Sequence, residues 1–122
     1  MLRILVVEDH PDLRETLALL LEGDGRRIDA AASAEAALQA FEAAPFDVVI
    51  TDVGLPGLSG LELAERLHAI RPATWVVLSS GSPVAVPSAA TAARTRFLAK
   101  PFTMEALDAL MAEFESADPP DR

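Results

Sequence analysis

The sequence predicts an α/β domain built on an open, doubly wound sheet of five parallel strands with helices on both faces. Three observations lead there. Short apolar runs rich in β-branched residues alternate with helical patterns along the whole length, and the strongest of these runs are continuous. The third is size, since 122 residues hold one compact domain with one sizeable core. A strand covered on both faces needs apolar side chains at every position, so continuity points to a parallel sheet.

Ile4-Leu5-Val6-Val7 reads as the first strand. A helix over 11–22 follows, with Pro11 in its first turn, where a missing amide hydrogen is tolerated, and Gly23 beyond its end. Ile28-Asp29-Ala30 is a weaker run that suits a sheet edge. Ser33 is a good N-cap for a helix over 34–43. Val48-Val49-Ile50 is the third strand. Ser59-Gly60-Leu61-Glu62 has capping-box spacing and opens a helix with Leu61, Leu63, Ala64, Leu67 and Ile70 on one stripe. Trp75-Val76-Val77-Leu78 is the fourth strand, and Phe97-Leu98-Ala99 is a second weak run suited to an edge.

Between those two strands Pro87 cannot sit inside a helix without losing a hydrogen bond and clashing with the preceding turn. A helix there, the fourth in chain order, is expected to be short or irregular, running from Pro87 to Arg94 and depending on packing for its stability. The last helix, about 104–115, follows Thr103 and places Leu107, Leu110, Met111 and Phe114 on one face. The domain is expected over 1–116, with the polar, Pro-rich 117–122 as a flexible tail or the stub of a linker.

Ten Lys and Arg stand against 19 Asp and Glu, a formal net charge of -9. Such a surface repels a phosphate backbone and offers no basic stripe, so no nucleic-acid binding is expected of this chain. There is no Cys, which closes disulfide and thiolate-metal readings. No apolar run is long enough to cross a bilayer and the first residues lack the pattern of a signal peptide, so the expected location is cytoplasmic, with no membrane partner.

In an open α/β sheet the reactive crevice lies beyond the carboxyl ends of the strands. Glu8 and Asp9 directly follow the first strand and Asp52 follows the third. If those strands are neighbours, three carboxylates converge, and they must then protonate or recruit a cation. An oxygen-only donor set suits a hard ion such as Mg²⁺. Acids after strands also serve as helix caps, and Asp9 taken alone fits either role.

Val6-Val7-Glu8-Asp9-His10, Asp52-Val53-Gly54-Leu55-Pro56-Gly57-Leu58-Ser59-Gly60, Val77-Leu78-Ser79-Ser80-Gly81 and Lys100-Pro101-Phe102 together resemble the response-regulator receiver family, over residues 2 to about 115. The resemblance implies a flavodoxin-like strand order 2-1-3-4-5 and a phosphoacceptor switch in two-component signalling. It implies Asp52 as phosphoryl acceptor and Mg²⁺ held by Glu8, Asp9, Asp52 and the backbone carbonyl of Gly54. It further implies Ser79 as the hydroxyl that bonds a phosphoryl oxygen, Lys100 as the fixed positive charge, and Phe97 as the aromatic switch residue. Ser80 is an alternative to Ser79, and Phe97 can equally be plain core.

The implied partner is a sensor histidine kinase or histidine phosphotransfer protein, docking on the first helix near Leu13 and Leu17. The downstream output is unspecified, and the unphosphorylated chain is expected to be a monomer. His10 reads as a surface residue at a helix start, and His68 as an inert residue on the outer part of its helix. A phosphatase or dehalogenase with an Asp nucleophile is the rival of a different class. Its usual second acid two residues on is replaced here by Gly54. A receiver that has become a pure binding module is the other rival.

Overall fold

The computed structural model describes residues 2–81 and 93–116. In chain order the elements are β1 (Leu2–Val7), α1 (Pro11–Leu21), β2 (Arg26–Ala31), α2 (Ala34–Ala43), β3 (Val48–Asp52), α3 (Gly60–Ile70), β4 (Trp75–Ser80), β5 (Thr95–Ala99) and α4 (Met104–Ser116). All five strands are parallel, in the order β2-β1-β3-β4-β5. The expected short helix before β5 falls mainly on 82–92, outside the described residues, and so does the expectation of a monomer that rested on it. The tail, 117–122, is outside them too.

The alternation of side chains along each strand sorts the core into two layers. Leu5, Val7, Val49, Val76 and Leu78 pack with Phe41 of α2 and Leu63 and Leu67 of α3. Ile4, Val6, Val48, Ile50 and Val77 pack on the opposite face with Leu17 and Leu21 of α1 and Leu107, Met111 and Phe114 of α4. Each central strand therefore feeds both layers, which is why its sequence is apolar throughout. β2 and β5 lie at the edges, where one long side is open. Both begin before their apolar runs, with Arg26-Arg27 and Thr95-Arg96, because an edge strand tolerates polar side chains.

The helix starts follow the capping chemistry. Ser33 Oγ accepts from Ala36 N at 3.0 Å, and Thr103 Oγ1 accepts from Ala106 N at 3.1 Å. Ser59 and Glu62 complete the reciprocal capping box. Three details depart from expectation. α1 ends at Leu21, and the left-handed turn that follows uses Gly25, with φ of 78°, and not Gly23. Ile70, the last residue of α3, is half exposed and is not part of the core stripe.

His68 is the third departure, and it is not an outer residue. It is buried, and its Nε2 lies 2.8 Å from the carbonyl oxygen of Thr74. That bond needs the proton on Nε2, which leaves Nδ1 a buried acceptor with no partner among the described residues. Burial holds the imidazole below its ordinary 6.5, opposed by the bond to Thr74 and assisted by the charge of Arg94. The unfolded chain therefore takes up this proton at a higher pH than the folded one. The stability linked to His68 is complete above pH 6.5 and is lost as pH falls through the lower, folded value.

His68→Gln keeps a donor for Thr74 but cannot titrate. Between about pH 7.5 and pH 5.5 its urea midpoint should fall less than the parent's. Equal slopes would show that His68 carries no such linkage.

Candidate functional site

β1 sits between β2 and β3, so the chain leaves β1 toward one edge and returns to the other side of it. That reversal opens a crevice beyond the carboxyl ends of β1 and β3. Glu8 and Asp9 emerge from β1 there, Asp52 is the last residue of β3, and Ser79 stands opposite Asp52 in the register of β4. Lys100 follows β5 directly, and its peptide bond to Pro101 is cis.

The side chains converge. Lys100 Nζ lies 3.1 Å from Asp52 Oδ1 and 3.9 Å from Glu8 Oε1. Glu8 is only 2% exposed, so its charge depends on the few groups that reach it. Those include the His10 amide, which donates to Glu8 Oε2 at 3.1 Å, and His10 Nδ1 at 3.2 Å from the same oxygen. Asp9 Oδ1 is 3.4 Å from His10 Nδ1. Arg14 donates to the Glu8 carbonyl oxygen at 2.9 Å and so ties α1 to the end of β1.

These contacts set the local proton affinities. Hydrogen bonding with Glu8 is the main influence holding the Asp9 carboxyl below its usual value. Desolvation opposes it, and the Asp9 amide and the charges of His10 and Lys100 add to it. The His10 imidazole is raised above 6.5, first by its bond with Glu8 and then by the charges of Asp9 and Glu8.

Ser79 is buried, yet its Oγ has no hydrogen-bond partner among the described residues. A buried hydroxyl without a partner costs roughly 1–3 kcal/mol, so a ligand atom arriving beside it would be stabilised. Ser80, the alternative hydroxyl, lies one residue on, and in a strand its side chain points to the other face. Gly54 leaves the approach to Asp52 open, since a Cβ there would lie 4.0 Å from Asp52 Oδ2. Gly60 has the opposite role. A Cβ on it would collide with the Asp52 carbonyl oxygen and the Val53 backbone, so the start of α3 lies directly against the main chain of the crevice.

Among the sequence candidates, Glu8, Asp52 and Lys100 are therefore joined by contacts, with Asp9 beside them and Ser79 paired to Asp52 along the sheet. Phe97 stands apart. It is 49% exposed on edge strand β5, over a shallow groove floored by Pro101, Phe102 and Ala106, so it is not core. His10 is the exposed residue at a helix start that the sequence indicates, but sequence reasoning missed its contacts with Glu8 and Asp9 and the bond from Arg14. The positions of His10 just after β1 and of Arg14 early in α1 are the signals that could have pointed to them.

The donor set fits a hard divalent cation. Carboxylates dominate it, and donor atoms of Glu8, Asp9 and His10 all lie within 4.8 Å of one another. Among the described residues no helix is long and apolar enough to cross a membrane.

Comparison with known proteins agrees with the fold. A sequence profile described as the response regulator receiver domain matches residues 4–112. The two-component response regulator ORR41 of Oryza sativa subsp. japonica is 34% identical, with 96% of this chain and 97% of that protein covered. The virulence sensor protein BvgS of Bordetella pertussis is 49% identical over 72 residues, 59% of this chain; the match spans 6% of BvgS. Among solved structures, the response regulator protein TrrA of Thermotoga maritima in complex with Mg²⁺-BeF is similar at 32% identity and a TM-score of 0.81. That match covers 93% of this chain and 99% of TrrA.

Proposed function

Because this chain belongs to the response-regulator receiver family and is a phosphoacceptor module of two-component signalling, we propose that Asp52 is its acceptor and that the surrounding side chains are its transfer machinery. The partner class is the histidine kinase or histidine phosphotransfer protein. In this reading an Asp52 carboxylate oxygen attacks the phosphorus of a phosphohistidine. An oxygen–phosphorus bond forms, the phosphorus–nitrogen bond breaks, and the electron pair leaves on the imidazole, which takes a proton from solvent.

Two anions must meet for this, so neutralising charge is most of the task. Lys100, 3.1 Å from Asp52, is placed to follow the charge from carboxylate to phosphoryl oxygen. Glu8, Asp9, Asp52 and the Gly54 carbonyl would hold Mg²⁺, which supplies positive charge opposite the transferring oxygens when bound. Ser79 would donate to a phosphoryl oxygen that exists only after transfer, which gives the two states different energies. Phe97, free to change rotamer on its open edge, would report the change. Small donors such as acetyl phosphate would serve in place of the partner, and slow hydrolysis would reset the switch. The acidic composition and the class of partner support a cytoplasmic setting.

The observation that carries this reading is the Asp52–Lys100 contact beside buried Glu8 and the unpartnered Ser79 hydroxyl. Its test is a titration with beryllofluoride and Mg²⁺ followed by amide NMR. Asp52, Ser79 and Lys100 should shift together, at one equivalent, only when both reagents are present. Shifts that ignore Mg²⁺, or that spare Asp52, would refute it.

A further inference from the structure

His10 occupies the N-cap position of α1, yet its side chain makes no capping bond. It is 75% exposed and could point anywhere into solvent. Instead its Nδ1 faces both carboxylates at the end of β1, 3.2 Å from Glu8 Oε2 and 3.4 Å from Asp9 Oδ1. Its own amide, held on Glu8 Oε2, fixes the backbone so that the ring can reach.

Two of the three separations in this cluster are as short as the edges of a coordination polyhedron, and the third lies within 4.8 Å. With metal–donor bonds of about 2.1 Å, adjacent donors stand roughly 3.0 Å apart in an octahedron and roughly 3.4 Å apart in a tetrahedron. We propose that His10 is a nitrogen ligand of the crevice's cation site, so that the site takes imidazole-seeking divalent ions such as Zn²⁺ and Ni²⁺ as well as Mg²⁺.

An imidazole adds little for Mg²⁺, which prefers oxygen and keeps its waters, and a great deal for the later first-row ions. His10 is thus a selectivity residue, shifting the site from a purely hard donor set toward a mixed one. The proposal rests on the reading of Glu8 and Asp9 as cation ligands. A hydrogen bond from a protonated ring would give the same two distances, and the readings part when a metal is offered.

The experiment is isothermal titration of the untagged protein with Mg²⁺ and with Zn²⁺, in the parent, His10→Ala and Asp9→Ala. The exposed His10 side chain supports no core packing, so its removal should leave the fold intact. Removing it should weaken Zn²⁺ binding by about tenfold or more and Mg²⁺ binding by much less. With Cu²⁺ as a paramagnetic probe, pulsed EPR should show the remote-nitrogen modulation of a bound imidazole in the parent and lose it in His10→Ala. Equal Zn²⁺ affinity in parent and His10→Ala, with Asp9→Ala weakening both ions, would overturn the His10 assignment and leave the cation site standing. Titrations of both ions unchanged in Asp9→Ala would overturn the cation site and the proposal with it.

Discussion

Asp52→Asn should accept no phosphoryl group from acetyl phosphate and Mg²⁺, whereas the parent should accept one per chain. The amide is nearly the same shape as the carboxylate but is not a nucleophile toward phosphorus. Its oxygen can still accept from Lys100 Nζ, now 3.1 Å from Asp52 Oδ1, so the crevice keeps its layout. Losing one negative charge beside Glu8 and Asp9 also relieves repulsion, so the variant should melt no lower than the parent in metal-free buffer. Intact-mass analysis before and after mild base reads the label, which an acyl phosphate loses and a phosphoserine keeps. A full base-labile label on Asp52→Asn would place the acceptor elsewhere.

Lys100→Ala should produce the second large effect, and on two readouts. Lys100 is the cation within reach of both Glu8 and Asp52, at 3.9 Å and 3.1 Å, and Glu8 is buried. Removing one member of a buried charged cluster leaves the others uncompensated. Because Lys100 is itself partly exposed, the loss should be about 1–3 kcal/mol in metal-free buffer, below that of a fully buried pair. Mg²⁺ should restore much of it, since the cation replaces the missing charge.

Asp9→Ala should behave in the opposite way, losing Mg²⁺ binding and phosphorylation without a lower melting temperature. The second readout for Lys100→Ala is the beryllofluoride response. Amide shifts at Ser79, Ser80 and 95–99 should largely vanish, although Asp52 can still be modified. A parent-like pattern of shifts, or a deficit that Mg²⁺ leaves untouched, would make Lys100 a surface charge.

The sheet was legible because its middle is so fully covered. Ile4–Val7, Val48–Ile50 and Trp75–Leu78 carry no polar interruption, and they lie in the three central strands. Ser33, Ser59-Glu62 and Thr103 marked helix starts because caps are local chemistry, decided within three residues. Glu8, Asp9 and Asp52 could be placed because each lies at the carboxyl end of a readable strand. Lys100 follows a weak edge run and is marked instead by the resemblance of its Lys-Pro-Phe triplet to the family.

What could not be read depended on tertiary neighbours. His68 has the spacing of an outer helical residue, and only the chain turning back at Thr74 buries it. Ile70 continues the apolar stripe of α3, but as the last residue of the helix it is left half exposed. Phe97 lies in an apolar run, yet its face of the edge strand is left half open. The orientation of His10 depends on Glu8, a pair two residues apart that no helical or strand period describes.

Gly60 shows a different kind of constraint. A Cβ on it would run into the carbonyl of Asp52, and no larger residue fits there without moving either the helix or the main chain of Asp52. A side chain with no functional group is thereby as tightly prescribed as the proposed acceptor. In a saturation library scored for signalling, position 60 should be as intolerant as position 52, and a scan of function alone would count both as chemical. Scoring the same library for protein abundance should separate them: substitutions at 60 deplete the protein, and Asn at 52 leaves it plentiful and silent.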